Sequence, residues 1–152
     1  MKVTVLLKND HVVLKDLFNK FKKLSHTRTP NGKKDLFNEI RREILIHSQM
    51  EQDIFYPALT ATSSTRGAEL VSQAEREHRS VEKLLQELNT MSGTDKNFES
   101  KMSQLKEEVF RHIDMEEGEI FDEARKNLPE YRLEELGLEM EDRKKILVTL
   151  AA

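Results

Sequence analysis

The chain has 152 residues, of which 35% are charged; it carries a net charge of −3, five glycines, three prolines and no cysteine. This composition is typical of one domain built from long helices, and it excludes disulfide bonds, thiolate metal ligands and a thiol nucleophile. Interspersed charges of both signs argue against a nucleic-acid partner, and no apolar run is long enough for a membrane span or a secretory signal. We therefore expect an all-α protein of the cytoplasm.

The first predicted helix, residues 3–25, has an apolar stripe that a histidine interrupts. Leu7 and Leu14 lie on this stripe, with lysines on the opposite face, and His11 falls between them. The cluster HTRTPNG at residues 26–32 contains both proline and glycine, and it predicts the turn that ends the helix.

The second predicted helix, residues 33–60, carries two polar residues in its apolar seam. His47 and Glu51 stand four residues apart, so their Cβ atoms should lie about 5 to 6 Å apart on one face, close enough to hold one metal ion. Pro57 predicts a kink or the end of this helix, because an interior proline lacks the N–H that the helix needs. Residues 60–66 form the next connection.

The third and fourth predicted helices repeat this arrangement. His78 lies in the apolar seam of residues 67–91, and His112 and Glu116 share one face of residues 96–127. The unit is therefore a helix with one histidine, followed by a helix with His-x-x-x-Glu, and it occurs twice.

The short connections predict how these helices pack. Sequential helices joined by short turns lie antiparallel, so residues 1–128 should form an up-down-up-down four-helix bundle. Residues 129–152 have a shorter amphipathic pattern with Gly137 as a break, and they predict one or two short helices packed on the end of the bundle.

The two halves of the chain align without gaps around their histidine motifs. Setting His47 on His112 superimposes HSQME on HIDME and pairs Tyr56 with Phe121. The mean position of each consecutive pair of seam histidines falls in, or at the edge of, the predicted turn between them. All four histidines should therefore lie at one level of the bundle.

This layer would place four imidazoles and two carboxylates in an apolar core. An uncompensated buried carboxylate costs several kcal/mol, so we expect cations to neutralise the pair. Two ions about 3.5 to 4 Å apart, bridged by the glutamates, would suit these donors. Histidine and carboxylate ligands favour iron, with zinc or manganese as rivals. The predicted ligands are His11, His47, Glu51, His78, His112 and Glu116.

This order of motifs over about residues 10–126 resembles the hemerythrin-like, or HHE cation-binding, family. The resemblance implies a non-haem di-iron centre with an oxo or hydroxo bridge, held by the same six residues. Two positions depart from the oxygen carriers of that family. Ala74 stands where they have a fifth histidine, and their final acid follows its histidine by five residues, which here is Glu117. The register of the repeat favours Glu116.

The missing fifth histidine disfavours reversible oxygen carriage. The resemblance then implies a protein that binds or reacts with dioxygen, peroxide or nitric oxide; the alternative is an iron- or oxygen-sensing or metal-storage module without turnover. Whether the protein is an enzyme, its electron donor and its oligomeric state stay open at this stage.

Four further residues attract hypotheses. Glu43 and Glu108 precede the motif histidines by four residues, so they either accept the ring N–H or remain solvated surface acids. Tyr56 is either an additional oxygen ligand or, as the favoured interpretation, a packing residue at the edge of the bundle. His26 is interpreted as a surface residue in the first turn.

Overall fold

The computed structural model describes residues 1–25 and 30–151, so the predicted surface position of His26 lies outside the described residues. The described residues contain helices and no strands, which confirms the all-α class. None of these helices is both long and apolar enough to cross a membrane. The helices are α1 (Val3–Ser25), α2 (Pro30–Met50), α3 (Tyr56–Thr60), α4 (Thr65–Asn89), α5 (Phe98–Met115), α6 (Phe121–Asn127) and α7 (Glu130–Ala151), with π-helical turns at Glu51–Phe55 and Glu116–Ile120.

Four rods form the predicted bundle. Helix α2, its π turn and α3 are continuous, and so are α5, its π turn and α6. Helix α1 packs on α2 and α5, while α4 packs on the same two neighbours from the opposite corner. Each rod therefore runs antiparallel to the next, as the short connections predict.

The apolar core consists of two clusters. One contains Leu7, Met50, Phe55 and residues of α7, and the other contains Leu14, Ile44 and the residues that follow toward the far end of the bundle. The seam histidines and glutamates lie between these clusters, because each interrupts an apolar stripe at the same height.

The two π turns begin at the two seam glutamates. The backbone N–H of Tyr56 donates to the carbonyl of Glu51, and that of Phe121 donates to the carbonyl of Glu116, five residues back in each case. Such wide turns occur often at functional sites. Pro57 lies in the first turn of α3 directly after one of them, so the interruption expected there is a π turn and the helix continues to Thr60.

Side chains form hydrogen bonds with backbone groups at both ends of α4. Ser64 precedes the helix, and its Oγ accepts a hydrogen bond of 2.8 Å from the backbone N–H of Gly67. At the other end, Lys34 Nζ donates to the carbonyls of Leu88, Asn89 and Met91 at 2.9, 3.0 and 2.6 Å. These contacts supply partners for backbone groups at both ends of the helix that carries His78.

Helix α7 differs from the expected short helices. It is a single helix of 22 residues that packs along α1, α2 and the first π turn. Gly137 does not break it: a Cβ atom at this position would lie 1.8 Å from the carbonyl oxygen of Met1. The glycine therefore permits close packing of α7 against the start of α1, and its interpretation as a helix breaker is wrong.

Substitution of Gly137 by alanine should loosen α7. We expect the free energy of unfolding to fall by about 1 to 3 kcal/mol, because the added methyl group overlaps the backbone at Met1. Gly118→Ala is the matched control, since a Cβ there meets nothing within 4 Å and alanine favours helix. Urea unfolding measures the free energy of unfolding of both variants. Equal values for Gly137→Ala and Gly118→Ala would contradict the close packing at Gly137.

Candidate metal centre

The structure brings the six predicted side chains together in one buried layer. His11 Nε2 lies 3.2 Å from His47 Nε2, and His78 Nε2 lies 3.1 Å from His112 Nε2. Both glutamates have 0% exposure, and each histidine is at most 7% exposed. The side chains come from α1, α2, α4 and α5 and from the first residue of each π turn.

The layer divides into two histidine pairs that share the glutamates. At the first pair, His11 Nε2 lies 3.1 Å from Glu116 Oε1, and His47 Nε2 lies 3.3 Å from Glu51 Oε1. At the second pair, His78 Nε2 lies 3.1 Å from the same Oε1 atom of Glu51. Two groups of donor atoms are therefore each compact enough to hold a metal ion, and Glu51 belongs to both.

Two acids that directly precede a seam histidine hold the histidine of the next helix. Asp10 Oδ2 lies 3.2 Å from His47 Nδ1, and Glu77 Oε1 lies 2.8 Å from His112 Nδ1. A carboxylate on the outer ring nitrogen fixes the tautomer and orientation of a metal-binding imidazole. The repeat of the sequence thus extends to the residues that surround the site.

The residues that directly follow the seam glutamates contact the other two histidines. Glu117 Oε2 lies 2.7 Å from His11 Nδ1, and the side-chain amide of Gln52 lies 3.3 Å from His78 Nδ1. Glu117, the alternative to Glu116 from the sequence, is therefore outside the donor group and supports a histidine. We call Asp10, Glu77, Glu117 and Gln52 the outer partners.

The sequence-based hypothesis for Glu43 and Glu108 as outer partners is wrong. The Nδ1 atoms of His47 and His112 face Asp10 and Glu77 instead. Glu108 accepts a hydrogen bond of 3.2 Å from Ser80 Oγ on the bundle surface. Spacing within one helix suggested the two glutamates, but the partners come from the adjacent helix.

The donor set fits a cation. Carboxylates lie at the Nδ1 atoms of His11, His47 and His112, so in each neutral imidazole the Nε2 lone pair would face the glutamate oxygens. Both oxygens of Glu51 and Oε1 of Glu116 are buried without a hydrogen-bond donor. In the part of the chain that the structure describes, only histidines form ion pairs with these glutamates. Facing acceptors of this kind require a positive charge between them.

Without a metal, protons supply part of that charge. Burial acts to lower the pKa of His47, but Glu51 and Asp10 raise it well above its usual value. The pKa of His112 is raised in the same way, against burial, by Glu116 and Glu51. Burial and Glu116 act to raise the pKa of Glu51, yet the imidazoles lower it to about 2. A bound metal must displace these protons, so metal affinity should fall as pH falls.

Tyr56 reaches the centre of the layer. Its Oη donates a 2.6 Å hydrogen bond to Glu116 Oε2 and lies 3.4 Å from Nε2 of both His78 and His112. Burial, with Glu116 and Glu51, raises the pKa of this phenol well above its usual value. The favoured interpretation of Tyr56 as an edge residue is therefore wrong: the π turn rotates it onto the face that carries Glu51.

The two histidine pairs are consequently not equivalent. Phe121, which aligns with Tyr56 in the repeat, stacks on His11 with ring centroids 6.3 Å apart and an interplanar angle of 8°. One pair thus has a phenol beside it, and the other has a plain aromatic ring.

Fold and site together define a helical-bundle protein with a buried cation-binding centre. The chain belongs to the hemerythrin family, because the family model described as Hemerythrin HHE cation binding domain matches residues 3–124. This range contains all six side chains of the layer.

Similar proteins share the bundle at modest sequence identity. A crystal structure of a Hemerythrin HHE cation binding domain-containing protein from Mycobacterium kansasii superposes with a TM-score of 0.81 and 28% identity, covering 97% of this chain and 87% of that one. An uncharacterized hemerythrin-like protein of Schizosaccharomyces pombe is 27% identical over 112 residues, which is 74% of this chain and 55% of that protein. A DNA nickase of Nostoc sp. is 23% identical over 139 residues, or 91% of this chain and 38% of that protein. The chain thus spans between about two fifths and just over half the length of these two curated relatives.

Replacing Tyr56 by phenylalanine should destabilise the protein. The ring fits, as Phe121 shows in the other repeat, but a buried carboxylate oxygen loses its donor. We expect a loss of about 1.5 to 3 kcal/mol, the usual range for a hydrogen bond to a charged group. Tyr131, which is 69% exposed, provides the matched control Tyr131→Phe. Chemical denaturation measures both, and equal stabilities would show that the hydrogen bond contributes nothing.

Proposed function

We propose that the chain is a non-haem di-iron protein that binds or reacts with small oxidants. The observation that carries the proposal is the pair of donor groups that share Glu51: His11, His47, Glu51 and Glu116 in one, and Glu51, His78 and His112 in the other. These adjacent groups would hold two metal ions, and Glu51 would be available to both.

The donor set supports iron over the rival metals. It offers nitrogen and carboxylate oxygen without thiolate, and imidazole with carboxylate suits iron that changes between its ferrous and ferric states. Such a centre, when bound, supplies electrons to a small oxidant. Zinc or manganese would occupy the same donors, and the metal content of the purified protein distinguishes them.

Different residues of the chain have different roles in this proposal. Three carboxylate outer partners keep the Nδ1–H atoms turned outward, so that Nε2 is free to bind the metal. The two seam glutamates neutralise the charge of the ions and hold them at one level. Tyr56 holds a proton at Oη beside Glu116 and His112, where a bound oxidant would need one.

A small cavity supports a small ligand. It has a volume of about 30 Å³ and lies beside the four seam imidazoles, with apolar side chains such as Leu14, Ile44, Val81 and Val109 around it. One water molecule needs about 10 to 15 Å³ of cavity volume, so a diatomic molecule or peroxide fits this cavity and a larger substrate does not.

The same geometry argues against nuclease activity, which the name of the Nostoc relative raises. Glu51 and Glu116 have 0% exposure, and a phosphodiester backbone is too large for the cavity. The net charge of −3 offers no electrostatic attraction for DNA. We do not propose nicking for this chain.

A binding module that senses iron or oxygen, or stores metal, is the second candidate. It would use the same ligands and differ only in having no turnover. The burial of the seam glutamates favours this candidate. Removal of the cation would leave the carboxylates uncompensated, so the fold would depend on metal.

Metal analysis tests the centre itself. Protein purified without chelator should contain about two iron ions per chain, and Glu51→Ala should lose at least one of them because that carboxylate belongs to both donor groups. His26→Ala, outside the layer in sequence, should keep both. Full metal content in Glu51→Ala would remove Glu51 from the ligands.

Rapid mixing separates turnover from binding. The reduced protein, mixed with dioxygen, peroxide or nitric oxide in a stopped-flow spectrometer, should change its near-ultraviolet absorption with at least one of them. Repeated cycles with consumption of the oxidant would indicate catalysis, and a single saturating change would indicate a sensor. An iron-loaded protein inert to all three would refute the reactivity.

A further inference from the structure

Helix α7 contacts the outer partner of one seam histidine. Lys144 Nζ donates a 2.8 Å hydrogen bond to Asp10 Oδ1, while Oδ2 of the same carboxylate faces His47 Nδ1 at 3.2 Å. Asp10 is only 6% exposed. A lysine of the C-terminal helix is therefore joined to a seam imidazole through a single buried carboxylate.

The adjacent residue of α7 holds the first π turn. Arg143 Nη1 donates to Asp53 Oδ2 at 2.9 Å, and Asp53 lies two residues after Glu51 within that turn. The pair is partly exposed, so it adds little stability, but it ties α7 to the segment that carries a seam glutamate.

These contacts break the symmetry of the repeat. In the second half, Glu77 is the equivalent of Asp10, and among the described residues its second oxygen accepts only from the amide of Gln73, at 3.3 Å. Gly118 stands where the first half has Asp53, and the second π turn is contacted by α4 instead, because Arg66 Nη2 donates to Glu119 Oε1 at 3.4 Å. Helix α7 therefore acts on one half of the centre.

The Lys144 contact differs from an ordinary surface ion pair. Its acceptor is buried, so solvent and salt screen the attraction less than between two exposed charges. A cation on one oxygen also restricts the carboxylate to the rotamer that faces His47. The close approach of α7 at Gly137 holds the helix in place for this contact.

We propose that Lys144 is a positioning residue for the metal centre: acting through Asp10, it orients His47 and slows loss of the ion held by His11 and His47. This inference rests on the proposed function. Lys144 lies outside residues 3–124, the range that the family model matches, so the family alone does not assign it.

The test compares Lys144→Met with Lys145→Met in the full iron-loaded chain. Both substitutions remove one lysine charge from the same turn of α7 and keep an unbranched side chain, but only Lys144 contacts Asp10. Iron release to an excess of a ferrous chelator is followed after reduction. Lys144→Met should release about half of the iron up to roughly tenfold faster, because Asp10 stays in place and loss of an outer partner itself costs about 10- to 100-fold. Lys145→Met should behave as wild type.

Two further measurements distinguish positioning from general loosening. Lys144→Arg keeps the charge and should restore slow release. In zinc-loaded protein, which is diamagnetic, the imidazole N–H proton of His47 should shift in the NMR spectrum of Lys144→Met while that of His112 stays.

Equal iron-release rates in Lys144→Met and Lys145→Met, or an unchanged chemical shift of the His47 proton, would overturn the role of Lys144. Neither result would contradict the metal centre itself. A wild-type chain that takes up no iron would instead overturn the proposed function along with it. The two failures are thereby distinguishable.

Discussion

The negative charge of Glu51 and Glu116 in a buried layer of the core is the constraint on which the rest of the structure depends. Both carboxylates have 0% exposure, and the described part of the chain gives them no lysine or arginine. Burial of an unpaired charge costs several kcal/mol, a large fraction of the stability of a domain of this size. The imidazoles, their outer partners and Tyr56 are arranged around that charge, and a cation is the group that balances it.

The internal repeat explains why the surroundings of the site are ordered as they are. The residue before each solitary histidine holds the motif histidine of the next helix, as Asp10 holds His47. The residue after each seam glutamate holds the histidine of another helix, as Glu117 holds His11. One supersecondary unit, used twice, thus supplies both the donors and the groups that orient them.

Much of this arrangement could be predicted from the sequence, because its signals are periodic. Apolar positions at helical spacing predicted the bundle, and histidines at equal distances from the turns predicted that they would meet at one level. Asp10 and Glu77 could also have been found, since an acid precedes the solitary histidine in both NDH and REH. Spacing along one helix indicates only partners on that helix, whereas the contacts of Asp10 and Glu77 cross between helices.

The position of Tyr56 and the length of α7 could not be predicted from the sequence for a different reason. A period of 3.6 residues places Tyr56 well away from the face of Glu51, and only the π turn brings it back. No local pattern in the sequence predicts the π turn. Gly137 was likewise ambiguous, because a glycine that ends a helix and one that permits close packing look the same in a sequence.

The division of the core has a consequence for how the molecule melts. The two apolar clusters, one around Phe55 and the other around Phe18, are separated by the polar layer. Buried carboxylates that lack a full counter-charge destabilise the layer and weaken the coupling between the two clusters. We therefore expect the two clusters to unfold together when a cation is bound. Without it, the cluster around Phe18, which contains no residue of α7, should open first.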